Sequence, residues 1–377
     1  MAFNNRGVAY SNQGDLARAI ADYDQAIRLD PSQAIAFNNR GVSYSKEGDI
    51  EQSIRDFDQA IELKPDFAEA YVNRSSEYYK KGEFDRAISD LNEAIQVNPK
   101  LAVAFLGRGL AYIGKHEVDR AIQDLDQAIS LKAADANPFL ARGHAHGLKT
   151  EYDLAIRDFD QVIILSPNSA AGFDNRGYIY GMKGDHDLAV RDFDQAIRLK
   201  PDDAFAFMNR GIAHLHKKEM DSAIADFDRA IQLKPKFAEA FNGLGMAHKG
   251  KSDNDAFLEF DEAIRLKPEY ADAYYNRGNA YLAKGNYSSA ISDYNEAITI
   301  KPNFVEAFHN RSIAYRENGA RDLAIHDLDQ AIALQPDFRG GPGKLNTGKG
   351  GRTAPRNRTG SDPRGAGNDE ETYAAHA

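Results

Sequence analysis

The stretch Gly343 to Gly350, Gly-Lys-Leu-Asn-Thr-Gly-Lys-Gly, is where the sequence comes nearest to a nucleotide-binding motif. A phosphate-binding loop places Ser or Thr after its Gly-Lys to hold magnesium, and Gly350 stands there instead. No strand pattern precedes the stretch and no helical pattern follows it. We therefore predict a glycine-rich tail here, with no nucleotide or other cofactor.

Two histidine pairs, His144 with His146 and His214 with His216, have the residue type of a metal site. Side chains at i and i+2 on a helix point to different faces, so neither pair can chelate one ion from a helix. His146 and His214 also replace a recurrent tyrosine, and the chain has no cysteine. We predict core histidines, no metal site and no catalytic residues, because no nucleophile or paired-carboxylate arrangement stands out.

An arginine and an acidic residue recur together along the chain. Arginine returns with a period of 34 residues in nine of ten repeats, with Leu244 as the exception. An acid follows sixteen residues after each of these arginines, and Glu259 follows Leu244 in the remaining repeat, which is one residue shorter. Burying an unpaired arginine is prohibitive, which predicts ion pairs. The alternative is that both side chains lie in solvent. The predicted pairs include Arg6 with Asp22, Arg40 with Asp56, Arg176 with Asp192, and Arg277 with Asp293.

The same period divides residues 1–338 into ten repeats, each of which predicts two antiparallel helices. In the second repeat, apolar residues three and four apart mark one face of each helix. Gly48 and Asp49 end one helix and cap the next, and Pro65 stops the second. Neighbouring repeats must stack to bury these faces. The predicted fold is therefore an all-α solenoid of ten helix pairs.

The repeat resembles the tetratricopeptide repeat family over about nine-tenths of the chain. The residues that carry the resemblance in the second repeat are Phe37, Arg40, Gly41, Tyr44, Ser53, Phe57 and Pro65. The arginine departs from the leucine of the family pattern. The resemblance implies a right-handed superhelix whose first helices line a concave groove, and it implies protein or peptide partners.

An asparagine column lies on the first helices, in the groove that the resemblance implies. It is similar to the asparagine ladder of the O-linked N-acetylglucosamine transferase, in which amides hold a peptide backbone. An amide both donates and accepts, which suits a backbone. The alternative is an amide that bonds the neighbouring helix. The column consists of Asn5, Asn39, Asn73, Asn175, Asn209, Asn276 and Asn310, with breaks at Gly107, Ala141 and Gly243.

Apolar residues occupy the predicted groove around the first break in this column. A large exposed apolar patch marks a partner site, and the alternative is that these residues pack between adjacent repeats. The predicted groove residues are Val103, Leu106, Leu110, Ile113, Leu140, Leu148, Tyr178, Met182, Phe205, Met208, Ile212 and Leu215.

The charge of the chain disfavours two other kinds of partner. The chain carries −10 and the segment 339–377 carries +3, so residues 1–338 carry −13 and would repel nucleic acid. The family's two-carboxylate clamp for chaperone C-termini needs a lysine at the position of Ile35, Glu69 and Val103. None of the ten equivalent positions is basic, so we predict that the clamp is absent.

Residues 339–377 form a separate Gly- and Arg-rich segment with almost no large apolar residues, which predicts a disordered tail. Two interactions are consistent with the basic charge of this segment: weak contact with RNA, and folding back onto the acidic repeats. No apolar run is long enough to cross a membrane and no signal peptide is recognisable, so we predict a cytoplasmic protein. The first helix pattern starts without a capping residue, which is consistent with an incomplete N-terminus.

These patterns together predict a non-catalytic scaffold that binds an extended protein or peptide segment with apolar residues. One alternative is the substrate-targeting arm of a larger enzyme such as a glycosyltransferase. A second alternative is weak RNA contact through the tail.

Overall fold

A computed structural model describes residues 1–249 and 253–336, and all regular structure in these ranges is α-helical. The chain forms two compact units, which divide between Ile179 and Tyr180. The predicted disordered tail, residues 339–377, lies outside the described residues. The stretch from Gly343 to Gly350, which comes near a phosphate-binding motif, lies within that tail. No helix in the described part of the chain combines the length and the apolar character needed to cross a membrane.

The first unit contains the first five repeats and the start of the sixth. Its helices are α1 (Ala2–Asn12), α2 (Leu16–Leu29), α3 (Ala34–Glu47), α4 (Ile50–Leu63), α5 (Ala68–Lys80), α6 (Phe84–Val97), α7 (Ala102–Gly114), α8 (Val118–Leu131), α9 (Ala136–Leu148), α10 (Tyr152–Leu165) and the start of α11 (Ala170–Lys183).

The second unit continues the same alternation. Its helices are the end of α11, α12 (His186–Leu199), α13 (Ala204–His216), α14 (Met220–Leu233), α15 (Ala238–Lys249), α16 (Asp253–Leu266), α17 (Ala271–Ala283), α18 (Tyr287–Ile300), α19 (Val305–Glu317) and α20 (Arg321–Leu334).

Within each unit the helices pack as a stack of repeats. First helices contact the second helix of their own repeat and, inside a unit, the second helix of the repeat before it, as α3 contacts α4 and α2. The predicted solenoid of helix pairs is confirmed.

A glycine in the middle of eight of the ten first helices lets the two helices of a repeat approach closely, and Ser75 and Ser312 stand at this position in the other two. An ideal Cβ on Gly41 would lie 2.7 Å from the Phe57 ring, which is 1% exposed. Glycine in mid-helix costs about 1 kcal/mol relative to alanine. Here the cost is offset by the aromatic ring of the second helix, which fills the space that a side chain would take.

The turn between the two helices of a repeat places one residue in the left-handed region. Gly48 has φ of 85°, and the Asp49 carboxylate then accepts a hydrogen bond from Gln52 N at 3.1 Å. In three repeats a residue with a side chain adopts this conformation, at His116, Thr150 and Lys218. A side chain in this region costs roughly 1–2 kcal/mol, so these three turns are strained.

Replacing Lys218 with glycine should raise the free energy of unfolding by about 1 kcal/mol, because the left-handed strain exceeds the added entropy of an unfolded glycine. Chemical denaturation measures the change. Lys218→Ala is the matched control, since it removes the same charge but keeps Cβ, and it should give no gain. Equal stabilisation by both variants would show that charge, and not backbone strain, governs this turn.

Candidate peptide-binding face

An inner arginine of the recurrent column joins three helices, as Arg40 shows. Arg40 on α3 donates from Nε and Nη2 to the two carboxylate oxygens of Asp56 on α4, both at 2.7 Å. Its remaining nitrogen, Nη1, donates to Asp24 on α2 at 2.6 Å. One guanidinium therefore joins the two helices of its own repeat and the second helix of the preceding repeat.

The same two-oxygen contact within a repeat recurs in both units. It joins Arg6 to Asp22, Arg74 to Asp90, Arg108 to Asp124, Arg142 to Asp158, Arg210 to Asp226, Arg277 to Asp293, and Arg311 to Asp327. The predicted pair of Arg176 with Asp192 has one member in each unit and stays a prediction.

The contact to the preceding repeat was missed by sequence reasoning. Its acceptors are Asp58, Asn92, Asp126, Asp160, Asp194, Asp261 and Asn295, each sixteen residues before its arginine. The signal was present, because Asp or Asn recurs two residues after the first acid. The two acidic or amide residues of the recurrent Asp-x-Asp therefore bind two successive arginines.

Burial and pairing act in opposite directions on these charges. Burial raises the pKa of Asp56, and the hydrogen bonds and charge of Arg40 oppose that rise. The same hydrogen bonds raise the pKa of Arg40 above its ordinary value. Desolvation of a buried pair offsets much of its attraction. The pair therefore fixes the relative position of the helices more than it adds to the free energy of unfolding. Loss of one partner leaves an uncompensated buried charge.

The asparagine column forms hydrogen bonds between neighbouring repeats. Asn39 Nδ2 donates to Asn4 Oδ1 at 3.1 Å, and Asn73 Nδ2 donates to Asn38 Oδ1 at 2.9 Å. Within the described residues, the Oδ1 atoms of Asn39 and Asn73 accept no hydrogen bond. The column therefore fastens the stack through its donors and leaves acceptors available.

The other asparagines of the column are placed less uniformly. Asn276 Nδ2 donates to Asn242 Oδ1 at 3.0 Å, and Asn310 Nδ2 donates to the Tyr275 hydroxyl at 3.0 Å. Asn175 Nδ2 donates to the Ala171 carbonyl in its own helix at 2.8 Å. Asn5 is exposed on α1, and Asn209 is half-buried on α13.

In the first unit, some of the predicted apolar residues are partly buried against the core and others are exposed. Leu106 and Leu110 pack against the core around Tyr112 and Leu125, and Leu140 packs against Phe159. Three others on first helices remain open to solvent: Val103 is 48% exposed, Leu148 57% and Tyr178 37%. Ile113 is half-buried. The face of α7 and α9 therefore carries accessible apolar surface over a packed layer.

In the second unit, most of the predicted residues belong to the core between repeats. Met208 is 4% exposed and packs with Phe227, Phe237 and Leu244, so it offers no surface to a partner. The side chains Phe205, Ile212 and Leu215 pack against the same cluster, and Met182 is half-buried. Met246 on α15 is 42% exposed and was not predicted.

The histidines pair with neighbouring carboxylates or pack against rings. His146 Nδ1 lies 2.7 Å from Glu151 Oε2, and His214 Nδ1 lies 2.6 Å from Glu219 Oε2. The His144 ring packs edge-on against Phe159, and burial lowers its pKa to about 4. In residues 1–249 and 253–336, no three His, Asp or Glu side chains are grouped as metal ligands would be.

Models of the tetratricopeptide repeat match most of the sequence. They cover residues 34–67 and 271–304, 175–238, and 305–338. A further model of this repeat matches residues 7–48, 76–116 and 250–285. A search of curated proteins found no match.

Solved structures show the same fold. A tetratricopeptide repeat protein from Parabacteroides merdae has a TM-score of 0.53 and 22% identity, over 65% of this chain and 97% of that one. The APC/C hetero-tetramer Cut9–Hcn1 includes a chain with a TM-score of 0.55 and 17% identity, over 89% of this chain and 74% of that one. With the family models and the stacked helix pairs, these likenesses identify the chain as a tetratricopeptide repeat protein, a scaffold for protein–protein contacts.

Proposed function

We propose that the chain is a non-catalytic scaffold that binds an extended protein segment with apolar side chains. The segment lies across the first helices α3, α5, α7 and α9 of the first unit. The single observation that carries the proposal is the exposed apolar surface of Val103 and Leu148 on adjacent first helices.

The apolar surface supports binding because it lies over a rigid base. Leu106, Leu110 and Leu140 are held against the core, so the exposed side chains beside them need little ordering when a partner binds. Fully burying an apolar side chain contributes about 1.5–3 kcal/mol, so a few anchors are enough for micromolar affinity.

The free amide acceptors support an extended partner. Asn39 and Asn73 hold their Oδ1 atoms in fixed positions, because their nitrogens are bonded to the neighbouring repeat. These oxygens can accept hydrogen bonds from the backbone N–H groups of an extended segment. A helical segment uses its N–H groups for its own internal hydrogen bonds. Glu69 is exposed on the same helix as Asn73, which favours a neutral or basic segment.

Val103→Asp combined with Leu148→Asp should weaken binding of a selected peptide by about a hundredfold, since two apolar contacts of about 1.5 kcal/mol each are lost. The peptides are selected from a random displayed library against the whole chain, and fluorescence anisotropy measures their affinity. We expect the selected peptides to be rich in apolar residues.

A matched control places the same charges on second helices of the same unit. Leu131→Asp with Ile164→Asp changes two exposed apolar residues on α8 and α10 and should leave the affinity unchanged. Circular dichroism should show the same helix content for both variants. Equal affinity of the two variants, or selected peptides without apolar residues, would contradict the proposed face.

A further inference from the structure

At each end of the described array, one member of the arginine contact between repeats has no partner. At every inner position where the contact is seen, the Nη1 atom donates to an Asp or Asn on the second helix of the preceding repeat, as Arg40 does to Asp24. Arg6 uses Nε and Nη2 on Asp22, and its Nη1 has no such partner among the described residues. Its side chain is 58% exposed, against 19% for Arg40 and 15% for Arg311.

The matching acceptor stands at the other end of the sequence. Asp329 on α20 occupies the position that Asp24 has on α2, and it is exposed with no hydrogen bond or ion pair in the described part of the chain. Arg6 therefore presents an unused donor and Asp329 an unused acceptor, of the kind that joins successive repeats elsewhere.

Apolar residues on the same two helix faces complete this correspondence. Inside the array, Ile54 packs with Tyr78, and Ile27 packs against the cluster of Phe37. The equivalent isoleucines of α20 are exposed, Ile325 by 59% and Ile332 by 53%.

Helix α1 carries residues equivalent to those that pack against these isoleucines inside the array. The residues equivalent to Phe37 and Tyr78 are Phe3 and Tyr10, which share one face of α1 with Arg6. Ala9 on α1 is also exposed, whereas the equivalent Ser43 and Ala111 are fully buried.

We propose that the face of α1 in one copy of this chain docks on the face of α20 in a second copy. Asp329 then accepts from Arg6, while Ile325 and Ile332 pack against Tyr10 and Phe3. The contact reproduces the junction that already joins successive repeats, which is why a second copy fits this face better than an unrelated partner. The two faces differ, so the association is head-to-tail and can continue from copy to copy.

Sedimentation equilibrium of the full chain over a range of concentrations tests the proposal. The average mass should rise with concentration past that of a dimer, as an open association requires. Asp329→Arg should raise the dissociation constant by about ten- to a hundredfold, the effect of a lost charge-assisted hydrogen bond. Ala9→Glu places a charge on the exposed face of α1 and should also weaken association. A mixture of the two variants keeps one unchanged α1 face and one unchanged α20 face, so it should form a heterodimer that does not extend.

Asp228→Arg is the matched control. Asp228 is an exposed residue at the equivalent position of α14, where the next repeat has Leu244 in place of arginine. It should associate as the unchanged chain does. Ile332→Glu changes an exposed residue of α20 and should weaken association without altering the helix content.

Three results would overturn the proposal. The first is that the full chain stays monomeric, and the second is that Asp329→Arg and Asp228→Arg weaken association equally. The third is that the mixture of the two end variants forms no heterodimer. A chain ended after Phe338 that associates while the full chain does not would assign the face of α20 to the chain's own tail.

Discussion

Replacing Arg210 with leucine should lower the free energy of unfolding by roughly 3–5 kcal/mol, because Asp226 is left as an uncompensated buried charge. Arg210 binds both carboxylate oxygens of Asp226, at 2.9 and 2.6 Å, and Asp226 is 6% exposed in this pair. Asp194, the third member of the contact, is 39% exposed and can be hydrated when the arginine is lost. Chemical denaturation of the full chain measures the loss.

The double variant separates pairing from simple loss of two side chains. Asp226→Leu alone should also destabilise strongly, and Arg210→Leu with Asp226→Leu together should cost much less than the sum of the two. Arg198→Leu, an exposed arginine on α12, should change stability by no more than about 0.5 kcal/mol. Losses that simply add would show that the two residues are not energetically coupled.

Replacing Phe227 with alanine should cost about 3–5 kcal/mol, the range for an aromatic residue removed from a core. Phe227 has no exposed surface and packs with Met208, Phe237 and Leu244, so it fills the space between two successive repeats. Denaturant unfolding measures the loss, and hydrogen exchange should show it concentrated in α13, α14 and α15. Leu258→Ala, at a residue that is 69% exposed, is the control and should have little effect.

Gly243 tests the same contact from the opposite side. An ideal Cβ on Gly243 would lie 2.4 Å from the Phe227 ring. Helix propensity alone predicts that Gly243→Ala stabilises by about 1 kcal/mol. Overpacking predicts a loss of about 1–3 kcal/mol, and we expect this loss. A stabilised Gly243→Ala variant, or a Phe227→Ala variant that unfolds like the unchanged chain, would contradict the packing described.

The close contact at Gly243 lies at one break in the asparagine column. A side chain at this position would meet the Phe227 ring. At Gly107 the ring is replaced by Leu91, and a Cβ would lie 3.1 Å from its Cδ2. At these two breaks, a side chain of the preceding repeat lies where a Cβ would be.

Met208 and Val103 show where sequence reasoning about the groove reached its limit. Both are apolar residues on first helices, and both were assigned to the same accessible surface. Met208 is 4% exposed and Val103 is 48% exposed. The sequence places a residue on one side of a helix, but its exposure depends on the helix that packs beside it.

The sequence alone determined the repeat period, the helix pairs, their ends and the family, because each of these follows from short-range spacing repeated ten times. Gly48, Asp49 and Pro65 act on their own neighbours in the chain, so their effect needs no tertiary information. Only the tertiary structure decided that Arg40 also reaches Asp24, that Asn39 donates to Asn4, and that Met208 is buried. These contacts join residues of different helices, and they exist only because stacking brings successive repeats within hydrogen-bonding and van der Waals distance.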